Sequence, residues 1–82
     1  MIISQKTIEK LRALINEETE YRSGPKLVAF FNKYGFADLY EPGFPSRWIY
    51  TESKLKELNG KPELDKCIKD LHLSISFLDS RN

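Results

Sequence analysis

Eighty-two residues suffice for one small domain, near the lower limit at which a core folds unaided and buries roughly 60% of the surface its unfolded chain exposes. A composition of 40% apolar and 30% charged residues is ordinary for a globular chain and argues against disorder. Thirteen basic against twelve acidic residues leave a formal net charge of +1, which excludes the strongly basic balance of a dedicated duplex-binding domain.

The chain reads as four helices in order. The first is expected from Ser4 to Glu18. Ser4 is its N-cap, accepting from otherwise orphan amides, and Ile8, Leu11, Leu14 and Ile15 mark the apolar face. The second opens at Pro25, where a missing N–H costs nothing, and runs through Leu27, Val28, Phe30, Phe31 and Tyr34. Gly35 then takes the left-handed position that closes it, with Phe36 packing back on Phe31. The third is expected near Thr51, capped by Thr51 with Glu52 behind it and a Tyr50–Leu55 staple; a start at Ser46 is the main alternative. Asn59-Gly60 stops it. Pro62 opens the fourth, where Leu64, Cys67, Ile68 and Leu71 follow i, i+3, i+4, i+7 spacing.

From Leu71 the period changes: Leu73, Ile75 and Phe77 alternate with His72, Ser74 and Ser76, as in a strand. A strand needs a partner, and Met1-Ile2-Ile3 or another copy of the chain are the candidates. The fold class expected is therefore mostly α, a single domain of about four helices with an ordered aromatic loop, the short C-terminal strand remaining open.

That loop, from Gly35 to Tyr50, is the richest segment. It holds Gly35, Gly43, Pro42 and Pro45, so it is no single regular element, yet it carries Trp48, Phe36, Phe44, Tyr40 and Tyr50. Loops are ordinarily polar because their backbone meets water. One this aromatic is either packed onto the core or offered to a partner.

The single cysteine, Cys67, excludes an internal disulfide and a cysteine-based zinc site and points to a reducing, cytoplasmic setting. It falls on the apolar stripe of helix four and reads as core. No apolar run reaches the ~18 residues of a membrane span, and Met1-Ile2-Ile3-Ser4 reads as too short for a signal peptide. His72 is the only histidine and falls at a helix end, where a cation suits the dipole. Asp38 and Glu41 share a loop without His or Cys neighbours, a poor metal set, and Asp38 reads as a turn former. Neither cofactor nor metal is expected. Ser23-Gly24-Pro25-Lys26 is a phosphate-friendly helix start without the full P-loop pattern.

The binding candidates are Arg47, Trp48, Tyr40, Tyr50 and Lys26. Arg and Trp dominate interface hot spots, and Arg binds carboxylate or phosphate bidentately. Against this, the single Trp of so short a chain is usually structural, so Trp48 reads first as a plug for the small core and Arg47 as the salt-bridge partner of an acidic neighbour.

Gly24-Pro25-Lys26-Leu27-Val28, Phe30-Phe31-Asn32, Gly35-Phe36, Asp38-Leu39-Tyr40, Gly43-Phe44-Pro45-Ser46-Arg47, Tyr50, and Leu55 through Asn59-Gly60 carry a family resemblance. Over roughly residues 7–71 the chain resembles the small N-terminal domains of AbiJ-like abortive-infection proteins of bacteria. In that group the domain precedes a separate module, sometimes a HEPN-type ribonuclease. The resemblance implies a sensing, adaptor or assembly role in anti-phage defence. It implies no nuclease here, since no Arg-x4-6-His motif occurs and Arg47 and His72 are too distant to replace one. The chain is thus expected to be a non-catalytic interaction domain, contacting a protein partner or its own copy. The alternative is a nucleic-acid-binding module using Lys26, Lys33, Arg47, Lys54, Lys56 and stacking aromatics.

Overall fold

Ser4 caps the first helix as expected, its Oγ accepting from the Thr7 amide at 3.2 Å. The computed structural model describes the backbone of residues 1–79 and the side chains of residues 1–72. Helix α1 (Gln5–Ala13) buries Ile8 and Leu11 and then widens into a π-helical turn at residues 14–18. There the Thr19 amide donates to the Leu14 carbonyl at 3.1 Å, five residues back. The single helix expected to Glu18 is therefore two kinds of helix. The wide turn keeps both Ile15 and Asn16, neighbours in sequence, fully buried.

Helix α2 (Gly24–Asn32) carries Pro25 in its first turn and buries Leu27 and Phe31 completely. The Tyr34 amide closes a tight turn on the Phe31 carbonyl at 2.8 Å, and Gly35 follows at φ +102°, the left-handed backbone that a Cβ disfavours. Phe36 meets the edge of Phe31 with centroids 6.4 Å apart, the expected closing contact. Helix α3 (Arg47–Leu58) starts at Ser46, whose Oγ accepts from the Ile49 amide at 3.3 Å. The alternative start is thus the real one. Thr51 is no cap. It is buried inside the helix, its hydroxyl donating to the Asn16 side-chain oxygen.

Helix α4 (Pro62–Asp79) buries Leu64, Cys67 and Leu71 on one stripe. The alternating run from Leu71 to Phe77 lies within the bounds of α4, and its side chains beyond His72 lie outside the described residues. Among the described residues, Met1–Ile3 pairs with no strand. Asn59 instead brackets Ile3 with two hydrogen bonds, 2.8 Å from the Ile3 amide and 3.0 Å to its carbonyl, and the Gly60 amide donates to the Met1 carbonyl at 2.8 Å. Phe31, Ile15, Leu27, Leu55, Leu58 and Leu64 form the centre of one core to which every helix contributes. Cys67 belongs to it, and burial pushes its thiol up to about 12, the Asp70 carboxylate adding to the shift, so it is an inert hydrophobe. Tyr34 ties the end of α2 to α4 by donating to Asp70 at 2.7 Å.

A candidate docking face on α3 and the aromatic loop

The loop from Lys33 to Ser46 is fastened at both ends. Asn32 at the end of α2 holds Asp38 by its backbone: Asn32 Nδ2 donates to the Asp38 carbonyl at 3.1 Å and the Asp38 amide donates back to Asn32 Oδ1 at 3.0 Å. Asp38 then reaches α3 with its side chain. Its Oδ2 accepts from the Tyr50 hydroxyl at 2.8 Å and faces Lys54 Nζ at 2.7 Å. Lys54 also pairs with Glu57 at 3.4 Å, lies 4.3 Å from the Phe36 ring centre, and is well shielded from solvent. The Lys54 ammonium, followed by the Tyr50 hydroxyl, holds the Asp38 carboxyl below its usual range although partial burial opposes this. Burial, then the Asp38 carboxylate, pushes the Tyr50 phenol well above its ordinary value. The cluster thus combines an ionised acid with a protonated phenol and works as a strut between loop and helix.

Aromatic rings complete the fastening. Phe44 packs at a tilt on Tyr50 with centroids 4.6 Å apart, and Tyr40 likewise on Phe44 at 4.8 Å. Gly24 lies beneath Tyr40: a Cβ built there would overlap Cε1 of the ring. Tyr50 is buried, whereas Tyr40 keeps its outer side in solvent. The ordered-loop reading therefore holds for Phe44 and Tyr50.

Outside this packing, Leu39 (75% exposed), Ile49 (64%) and Trp48 (38%) remain in water. They surround two shallow grooves. The first, about 580 Å³, is lined by Leu39, Glu41, Pro42, Phe44 and Pro45 of the loop and by Ile49, Ser53 and Lys54 of α3. The second, about 560 Å³, is lined by Trp48, Ile49, Glu52, Ser53, Lys56 and Glu57 of α3 with Arg12 of α1. Ile49 and Ser53 belong to both and form the ridge between them. Trp48 is no core plug. Its ring lies on the surface with the Arg12 guanidinium 5.4 Å from its centre, and Arg12 pairs in turn with Glu52. Lys56, the nearest cause, and Arg12 hold the Glu52 carboxyl below its usual range.

Arg47 turns the other way. Its Nε donates to the Arg22 carbonyl and its NH2 group to the Asn16 carbonyl, both at 2.9 Å, while NH2 also faces Glu17 at 2.9 Å. The Tyr21 ring covers it, 4.2 Å from guanidinium carbon to ring centre. These bonds close the π turn and the connection to α2, so the geometry gives Arg47 a structural task. The salt-bridge reading of Arg47 thus holds for Glu17, while its two backbone acceptors escaped sequence reasoning because no side chain advertises a carbonyl. Lys26 lies apart, in a small groove of about 290 Å³ with Arg22, Phe30, Lys33 and Glu20. Of the five cations named for a nucleic-acid surface, Lys54 and Lys56 are ion-paired on α3, Arg47 is committed to the turn, and only Lys26 and Lys33 come together. Among the described residues, no group of three or more His, Cys, Asp or Glu is placed to hold a metal, and no helix is long and apolar enough to cross a membrane. Set against known protein families, curated proteins and solved structures, the chain matches none of them.

Proposed function

We propose that this chain is a non-catalytic interaction domain whose contact surface is the outer face of α3 with the adjoining loop. One observation carries this reading: Leu39, Trp48 and Ile49 stand exposed around grooves that already contain Pro42, Phe44 and Pro45. Large apolar side chains gathered around a concave surface with a charged rim are the mark of protein contact. The polar cluster beneath them supports the same reading, because Asp38, Tyr50 and Lys54 satisfy one another and leave no group set for proton transfer or nucleophilic attack. The AbiJ-like resemblance supplies a setting, a sensor or assembly part in anti-phage defence. A photo-crosslinking residue at position 49 tests the contact in cells, with Lys10, exposed on α1 and outside both grooves, as control position. Adducts of defined mass from position 49 alone are expected. Equal adducts from both positions, or none, would overturn the reading.

A nucleic-acid reading rests on the smaller groove with Arg22, Lys26 and Lys33. Arg22 is paired there with Glu20 at 3.3 Å, which leaves two cations for phosphate. Such a surface binds RNA or DNA weakly and loses binding steeply with salt. Retention of single-stranded RNA at low salt that Lys26→Glu abolishes is the outcome that would favour it.

A further inference from the structure

The two flanks of the α3 ridge are chemically unlike, and the difference says what fits there. One flank bears Trp48, Glu52 and Lys56, spaced i, i+4, i+8, with Arg12 beside them. Here two cations, Arg12 and Lys56, share the single carboxylate of Glu52. The other flank bears the loop and Lys54, and Glu57, which borders the Trp48 groove, turns its carboxylate to Lys54 on this side. There two carboxylates, Asp38 and Glu57, share the single cation of Lys54, and Glu41 forms no ion pair among the described residues. The face is therefore cationic with a protruding Trp on one side of the ridge, and acidic with an apolar groove on the other.

We propose that this face docks on the same face of a second copy of the chain, with the two α3 helices parallel about a twofold axis along the Ile49–Ser53 ridge. The proposal rests on the interaction reading above and names its partner. A twofold along the ridge exchanges the flanks, so each cationic side meets an acidic side, twice. A twofold across the helix would set like on like. With the axis along the ridge, Lys56 of one copy approaches Glu57 of the other. Trp48 of one copy enters the groove that Leu39, Pro42, Phe44 and Pro45 form on the other. An aromatic anchor in an apolar pocket, ringed by paired charges, is how interface energy is ordinarily concentrated. Ile49 meets Ile49 on the axis, and the small Ser53 one turn on lets the helices close up. Ridge and grooves together approach the roughly 20 residues a side of a standard interface.

Sedimentation equilibrium of the full chain over a wide concentration range tests this. The wild type is expected to dimerise, and Ile49→Asp to be monomeric with unchanged helical circular dichroism. Lys56→Glu alone and Glu57→Lys alone should each weaken dimerisation about tenfold, because each sets like charges at two symmetric contacts. An equimolar mixture of these two variants should dimerise like the wild type, since every contact is again between opposite charges. A monomeric wild type at every concentration overturns the proposal, as does a dimer indifferent to Ile49→Asp or a mixture that fails to recover. A monomer that still crosslinks from position 49 to a different protein overturns self-pairing and leaves the interaction reading standing.

Discussion

Two connections enclose α2, and they are held by opposite means. The one before it, residues 19–23, is short and is fixed by arginines that donate to backbone carbonyls: Arg47 to Arg22 and Asn16, and Arg22 to Ile15 at 2.7 Å. The one after it is long and is fixed by packed rings and the Asp38 strut. A π turn leaves carbonyls that no helix amide meets, so it needs side-chain donors. A loop rich in aromatic residues has much apolar surface to cover, so it needs rings and a polar tie. The same small core is thus closed on one side by hydrogen bonds and on the other by packing, and perturbations should separate the two.

Phe31 lies at the centre of the core and should give the largest effect. It is fully buried and meets Phe30, Phe36 and Tyr50 edge-on. Phe31→Ala should cost about 3–5 kcal/mol, measured by urea denaturation, and a variant that melts like the parent would refute the packing described. Next comes the arginine side. Arg47→Lys keeps the charge but loses the fork that serves two carbonyls and Glu17 together, and should cost about 1–3 kcal/mol. If Arg47 instead served only a partner, the free chain would not notice the change, and equal urea midpoints would say so.

The two closures differ also in how far they can be read from sequence. Periodicity marks Leu64, Cys67 and Leu71 without ambiguity, because a core stripe recurs every turn. Pro25 and Gly35 mark the ends of α2 through backbone constraints that only those residues relieve. The π turn has no such signature, and neither has Arg47. The start of α3 is degenerate in sequence, since Ser46 and Thr51 are both good caps. It is decided by Asn16, whose buried side-chain oxygen needs the Thr51 hydroxyl inside the helix. Within the aromatic loop, composition shows that rings gather but not which way each faces. Trp48 follows Arg47 on the first turn of α3, and the commitment of Arg47 to the π turn leaves Trp48 on the outer side.

Acid should strike the Asp38 strut of the loop side. The Asp38 carboxyl titrates lower in the folded chain than in the unfolded one, chiefly through Lys54. Its stabilisation is therefore complete above the unfolded aspartate value of about 3.9 and is lost as pH falls through the lower folded value. Asp38→Asn removes that dependence. Melting temperatures of the wild type and Asp38→Asn, separated at neutral pH, should converge as pH drops below about 4. Curves that stay parallel into strong acid would place the tie elsewhere.

The smallest expected effect is the most local. A methyl at Gly24 cannot coexist with the Tyr40 ring where it lies, yet Gly24 needs no positive φ and alanine suits a helix start better than glycine does. Two terms therefore oppose each other in Gly24→Ala. Helix propensity favours the variant by up to ~1 kcal/mol, and displacement of a half-exposed ring from its seat costs a similar amount. The net change in stability should stay within about 1 kcal/mol, while the ring itself must move. Proton chemical shifts of Tyr40 and Phe44, which the 4.8 Å contact couples, should change together, and those of Phe31 at the core should not. Shifts confined to neither pair would mean that the loop is seated by its polar tie alone, and the packing half of the contrast would fall to Asp38.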